Sequence, residues 1–230
     1  MVKNNIQDNR QADKHPVDGL VSLPPKVLVA CEYSAIVREA FAAAGCDAWS
    51  SDLLDTEIPG KHFKGDVLEI INNGWDAMIA FPPCPFLTTT ANRSFLNNPE
   101  RWEKRLEAMK FVYKLLNAPI KYIALENPKG VISTHIRKPE QYVHPYQFGH
   151  PVSKMTGLWL KNLPPLRPTK IVTPEWVIAP SGKRVSKWHW NSTSTNNPEN
   201  AKFRSKTFEG IAAAMAEQWT PILTGTKRSN

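Results

Sequence analysis

Cysteine is scarce in this chain, with 3 residues in 230, at positions 31, 46 and 84. They are odd in number, widely separated and form no CxxC pair, which excludes a disulfide framework and a zinc knuckle. No metal site is expected. The sequence also lacks an N-terminal apolar run and any apolar segment long enough to span a bilayer. A membrane is therefore not among the expected partners, and a reducing cytoplasm is the expected compartment. No internal repeat is visible.

What is present is a basic chain able to fold. Hydrophobic residues make up 41% and aromatics 10%, enough for one globular domain of ordinary size. Lys plus Arg number 29 against 21 for Asp plus Glu, a formal charge of +8. That excess favours a polyanionic partner, nucleic acid first.

Residues 1–23 are polar and aperiodic and read as a flexible N-terminal arm. "PKVLVACE" is a strand candidate. "SAIVREAFAAAG" after it carries Ile36, Val37, Ala40 and Phe41 at helical spacing, with Gly45 as a stop. "CDAWSSDLLD" reads as a strand ending in acid, "GDVLEIINNGW" as a loop with a helical turn, and "DAMIAF" and "KYIALENP" as buried strands. Between these last two, Asn98-Pro99-Glu100 starts a helix. Its buried face is expected to carry Trp102, Leu106, Met109, Val112 and Leu116. This alternation predicts an α/β fold with an open, largely parallel sheet. "YQFGH" and "TGLWLKN" are candidate late strands. Residues 163–206 are rich in Pro, Ser, Thr, Asn and basic residues and show no strong period. "TFEGIAAAMAEQW" predicts a final amphipathic helix, with Phe208, Ile211, Ala212, Met215 and Trp219 on its stripe, before a tail at 223–230.

In open α/β sheets, ligands sit outside the carboxyl ends of the strands. Four such ends carry polar chemistry here: Cys31-Glu32, Asp52, Pro82-Pro83-Cys84 and Glu126-Asn127-Pro128. Prolines on either side fix the Cys84 thiol, as a positioned nucleophile for an electrophilic carbon requires. A carboxyl on a neighbouring strand end, Glu126, can protonate a ring nitrogen and make that carbon electrophilic. "SGKRVSKWHWNSTSTNN" interleaves Lys183, Arg184 and Lys187 with Trp188 and Trp190, a composition suited to phosphate contact and base stacking.

"PPCP" after an apolar strand, then "ENP" at the next strand end, resembles the DNA cytosine-5 methyltransferases, which carry a Pro-Cys loop and a Glu-Asn motif in the same order. The likeness extends over about residues 26–220. It implies a Rossmann-like S-adenosylmethionine-dependent methyltransferase sheet, with a catalytic domain over 24–162 and 204–222. A reduced target-recognition region would occupy 163–203. By the same resemblance, Cys84 is the nucleophile toward C6 of cytosine, and Glu126 contacts N3 and the exocyclic amine.

The donor site implied by the resemblance takes Cys31, Glu32, Tyr33 and Ser34 from the first loop. Asp52, beside Leu53, would meet the ribose hydroxyls; Asp66, beside Val67, would meet the adenine amino group; Phe81 and Pro82 complete the set. Implied substrate contacts are Pro83, Asn127, Gln147, Lys154, Lys187 and Trp188. The implied partner is double-stranded DNA with the target base flipped from the stack, acted on by a monomer. The setting would be a bacterial or phage-infected cell, where modification resists restriction.

The sequence departs from that family in three places. Glu32-Tyr33-Ser34-Ala35 replaces the glycine-rich donor loop, which admits a carboxylated S-adenosylmethionine whose added acid Arg38 would meet. Pro85 stands where a Gln usually follows the cysteine. The arginine-rich strand motif is missing, and Gln147, His150 and Lys154 are expected to take over its polar work. A zinc deaminase is excluded because Cys84 has no second cysteine three residues on, and an amino methyltransferase needs no cysteine nucleophile. The alternatives left are transfer of another group from a modified donor, C5 transfer to a free cytidine nucleotide, and a non-catalytic DNA-binding module.

Overall fold

Val27, Leu28, Val29 and Ala30 are fully buried, so the first strand has no solvent face. An apolar run covered on both sides marks a central parallel strand. In the computed structural model, which describes residues 23–89, 92–192 and 198–225, that is its position. The expected arm up to residue 22, the tail beyond 225 and residues 193–197 lie outside the described residues.

β1 (Lys26–Ala30) lies between β2 (Asp47–Asp52) and β4 (Ala77–Ala80), parallel to both. β3 (His62–Lys64) pairs in parallel with β2, and β5 (Tyr122–Pro128) with β4. β7 (Thr156–Lys161) runs antiparallel beside β5, and β6 (Gln141–Val143) antiparallel beside β7. The chain is thus a mixed α/β fold on a seven-stranded, mostly parallel sheet of order β3-β2-β1-β4-β5-β7-β6. A separate ribbon pairs β8 (Trp176–Ile178) with β9 (Arg184–Ser186).

Alternate side chains of the sheet feed two cores. Val27, Val29 and Ile79 enter one, with α1 (Ile36–Ala43) and α6 (Glu209–Leu223). Leu28, Met78 and Ile123 enter the other, against α2 (Pro99–Leu116). The shorter α3 (Ile132–His135), α4 (Lys187–Ser192) and α5 (Pro198–Ser205) lie in the connections. Gly45, with φ 88°, follows α1, and the Asn98 side chain caps α2 by accepting the Arg101 N–H at 3.1 Å. No helix among the described residues is long and apolar enough to cross a membrane.

Three expectations are corrected. α2 turns only part of the expected face inward: Val112 is buried and Met109 and Leu116 pack against the core, joined by Arg105 and Leu115, while Trp102 is 50% and Leu106 58% exposed. An arginine on the inner stripe disguised that face in the hydrophobic pattern. "YQFGH" is no strand, because Pro145–Gln147 form a 3-10 turn closed by Gln147 Oε1, which accepts the His144 N–H at 2.7 Å. The stretch read as lacking period holds the β8–β9 ribbon and α4 and α5, elements too short to show one.

Candidate active site

β1, β2, β4 and β5 run parallel, so their carboxyl ends open on one edge of the sheet. The strand order reverses between β1 and β4, where such folds form their crevice. Phe81 carries the ladder one step past β4 by donating its N–H to Ala30 O at 2.9 Å; the prolines then end it. The Cys84 carbonyl accepts the N–H groups of Leu87 (2.9 Å) and Thr88 (3.2 Å), closing a turn beside the thiol.

That turn is pinned from two sides. Asn127 of β5 donates Nδ2 to Pro82 O at 2.8 Å. Arg105 of α2 donates to Phe86 O at 2.7 Å and Thr88 O at 3.2 Å, with its guanidinium 3.6 Å from the Phe95 ring centre. Val131 donates its N–H to Leu87 O at 2.8 Å, and a Cβ on Gly130 would lie 2.0 Å from that same oxygen. Sequence reasoning overlooks both Arg105 and Gly130, since a helix arginine reads as solvated and a close backbone approach leaves no local signal. Arg105→Met is expected to destabilise the fold by ~1–3 kcal/mol for each carbonyl left without a donor, read from urea denaturation midpoints. Gly130→Ala is expected to cost roughly 1–3 kcal/mol through overpacking; a midpoint equal to that of the native protein would contradict the tight contact.

Cys84 and Glu126 border one cleft together with Pro83, Asn127, Lys154 and Thr156, under a roof of Ser205, Lys206, Thr207 and Phe208. Its free space is about 660 Å³ with the open mouth included. The Thr156 hydroxyl donates to Glu126 Oε1. Burial pushes the Cys84 thiol above its ordinary range and the Glu126 charge adds to the rise, while Lys154 and Arg204 oppose it. Lys154 Nζ also donates to Arg204 O at 3.0 Å and stands 5.3 Å from the Trp188 ring centre.

Of the expected substrate contacts, Pro83, Asn127 and Lys154 therefore lie at the cleft. Gln147 and His150 do not line it. Gln147 holds its own 3-10 turn, and His150 Nε2 accepts the Gly210 N–H at 3.0 Å, docking the start of α6. Lys187 pairs with Glu175 at 3.0 Å, and Trp188 packs against Phe203 and Phe208 with ring centres 5.8 and 5.6 Å away. Thr156 and the Ser205–Phe208 roof went unnoticed in the sequence, since only the antiparallel return of β7 and the last crossover bring them in.

On the neighbouring strand ends, Cys31 and Ala35 adopt left-handed φ values of 59° and 63°. Glycine takes such values freely; other residues do so at a cost of about 1–3 kcal/mol. The loop thus keeps a glycine-like path without glycines. Burial, followed by the charges of Asp52 and Asp66, pushes the Cys31 thiol up to about 12. Asp52 accepts the Leu54 N–H at 3.0 Å, and Asp66 the Leu68 N–H at 2.9 Å. Leu53 is exposed, Val67 is buried, and Phe81 and Pro82 border the Cys84 cleft.

Glu32, Ser34 and Arg38 turn inward. The buried Glu32 carboxylate accepts the N–H groups of Val37 (2.7 Å) and Arg38 (3.1 Å), capping α1, and Ser34 Oγ donates to it at 3.4 Å. Burial raises the Glu32 pKa, against the pull of those hydrogen bonds. Arg38 is 1% exposed, and its N–H groups are engaged by Glu39, Ser50, Thr56 and the carbonyls of Ile58 and Pro59. It is not a receptor for an acidic donor group. Tyr33 donates its hydroxyl to Lys202 O at 2.8 Å, and Lys206 pairs with Glu57 at 2.6 Å, fastening the cleft roof to the first loop and its neighbour.

No family model and no curated protein matches the chain. Among solved structures, it is similar to one encoded within an E. coli prophage and named a candidate DNA modification methyltransferase. That likeness has 16% identity and a TM-score of 0.42, over 65% of this chain and 52% of the other. The chain spans about half the length of that structure, and likeness at this level sets neither family nor activity.

Proposed function

We propose that the chain is a DNA cytosine-C5 methyltransferase, with Cys84 as nucleophile and Glu126 as the acid that activates the base. The observation that carries this reading is that Cys84 and Glu126 border one cleft, with the charges of Lys154 and Arg204 acting on the thiol. The sheet supports a Rossmann-like methyltransferase assignment, with 24–162 and 204–222 as the catalytic domain and 163–203 as a reduced recognition region.

In the resting state, burial and the Glu126 charge favour the protonated Cys84 thiol. Passing the proton from Sγ to Glu126 and on to N3 of cytosine yields the thiolate and activates the ring together. Sγ then bonds to C6, and the C5–C6 π pair becomes available at C5. Glu126, oriented by Thr156, holds the N3 proton. S-Adenosylmethionine, when bound, supplies the electrophilic methyl group that C5 takes up. Loss of the C5 proton to solvent restores the C5–C6 double bond as the C6–Sγ bond breaks, and the N3 proton returns through Glu126 to the departing thiolate.

The residues on the donor side fit such a molecule at its nucleoside end. The carboxylates of Asp52 and Asp66 both act on Cys31, and they offer acceptors for ribose hydroxyls and an adenine amino group. Cys31, Tyr33, Leu53, Val67, Phe81 and Pro82 would border it. With Arg38 fully engaged, a carboxylated donor finds no cation there, which favours the unmodified one. Attack at C6 requires a base flipped from the duplex. The ribbon, where Arg184 lies 4.4 Å from the Trp176 ring centre, offers a basic and aromatic surface for the strand, alongside Lys187 and Trp188. Modification of this kind would shield DNA from restriction in a bacterial or phage-infected cell. Mass spectrometry of nucleosides from cells expressing the protein is expected to find added 5-methylcytosine in DNA. Unmodified DNA, with turnover of labelled dCMP instead, would assign the chemistry to free nucleotides.

A further inference from the structure

Arg105 is 6% exposed, and its acceptors among the described residues are neutral: Phe86 O at 2.7 Å, Thr88 O at 3.2 Å and Asn92 Oδ1 at 3.0 Å. Burial lowers its pKa, and the charge of Arg101 one turn away adds to that. A buried cation without a counter-charge is costly, and an apolar side chain would fill an inner helix position at less cost. What the cation secures is the segment that follows Cys84. Its acceptors are spread over residues 86–92, so one rigid guanidinium fixes three points of that segment together. The guanidinium rests 3.6 Å from the Phe95 ring centre, and Trp102 holds that ring in turn. Trp102 Nε1 donates to Phe95 O at 3.1 Å, and the two rings meet edge to face with centres 5.2 Å apart.

We propose that Arg105 is a positioning residue for Cys84, holding the thiol from α2 at the depth and direction that attack on the base requires. It acts through the backbone of residues 86–88, which closes onto the Cys84 carbonyl. The charges that act on the sulfur are those of Glu126, Lys154 and Arg204. The proposal rests on Cys84 being the nucleophile; the hold on its loop does not. Because the hold is complete without substrate, it serves turnover rather than binding. Loosening the loop then has two opposite effects. The thiol gains solvent, and since burial is the first cause of its raised pKa, that pKa falls and alkylation speeds. The same thiol loses its fixed place, and a displacement of about 1 Å costs about 10²-fold in rate. A residue that only stabilised the fold would produce neither effect in folded protein.

Arg105→Lys keeps the charge and loses the planar fork. In the folded variant, alkylation of Cys84 by iodoacetamide, read by peptide mass spectrometry without DNA, should be about threefold faster or more at a given pH. For base modification, kcat should fall about 10²-fold with KM little changed. Asn92→Ala, at an exposed position, cuts only the outermost contact and should move both readouts the same way by less. It decides the question if Arg105→Lys does not fold. Phe41→Leu, in the core on the other face of the sheet, lowers stability far from the loop and should leave Cys84 alkylation at the native rate. Native alkylation and kcat in the folded Arg105 and Asn92 variants overturn the proposal, as does an equal acceleration in Phe41→Leu. Faster alkylation on a chain whose native form modifies no base would leave the hold on Cys84 standing and remove the methyltransferase reading instead.

Discussion

Replacing Glu126 by Gln is expected to speed alkylation of Cys84 by iodoacetamide while cutting base modification by about 10²–10⁴-fold. Both effects have one cause. Burial first, and the Glu126 charge second, hold the Cys84 thiol above its ordinary range. A neutral amide removes that charge, so the thiolate fraction at a given pH rises, and alkylation follows the thiolate. The same amide cannot deliver a proton to N3, so the ring stays unactivated. Lys154→Met is the mirror case: it removes a cation that favours the thiolate, and the alkylation profile should move to higher pH. Peptide mass spectrometry keeps the readout on Cys84, since Cys31 and Cys46 also carry raised thiol pKa values through burial. A Glu126→Gln protein with unchanged alkylation would mean the carboxylate does not act on the thiol; unchanged modification would mean it is no part of the reaction.

Cys84→Ala is expected to reduce modification to background with little loss of stability. The turn at Cys84 is made by its backbone carbonyl and by the fastenings from Asn127 and Arg105, none of which uses the sulfur. A half-buried thiol exchanged for a methyl group should cost about 1 kcal/mol or less. Cys84→Ser should be as inactive, since a serine hydroxyl is a far weaker acid than a thiol and a poorer nucleophile. Retained modification in a folded Cys84→Ala protein would rule out covalent attack by this residue. A protein that unfolded would instead mean that the sulfur is structural.

The sheet was legible because its central strands are buried on both faces and therefore read as unbroken apolar runs, as at Val27–Ala30 and Ala77–Ala80. β3 and β6 were not, being three residues each with mixed polarity. The strand-end rule brought Cys84, Asp52 and Glu126 to the sheet edge from sequence alone, and Cys84 and Glu126 do border a common cleft. The direction of the polar side chains was hidden. Glu32 and Arg38 read as groups facing a ligand, yet one caps its own helix and the other ties α1 to the 56–59 loop. Local sequence cannot tell a carboxylate aimed outward from one folded back onto the next helix. Arg105, Gly130 and Thr156 were invisible for a different reason, because their partners Phe86, Leu87 and Glu126 lie 19, 43 and 30 residues away along the chain (105 − 86, 130 − 87 and 156 − 126).

The most direct test is a covalent trap. In DNA carrying 5-fluorocytosine, C5 has no proton to lose, so elimination stalls after transfer and the bond between Cys84 Sγ and C6 persists. With S-adenosylmethionine present, the native protein is expected to form a denaturation-resistant adduct with this DNA, located by mass spectrometry to the peptide containing Cys84. Cys84→Ala should form none. DNA bound by the native protein without any adduct would contradict covalent attack by Cys84 and leave the chain a binding module.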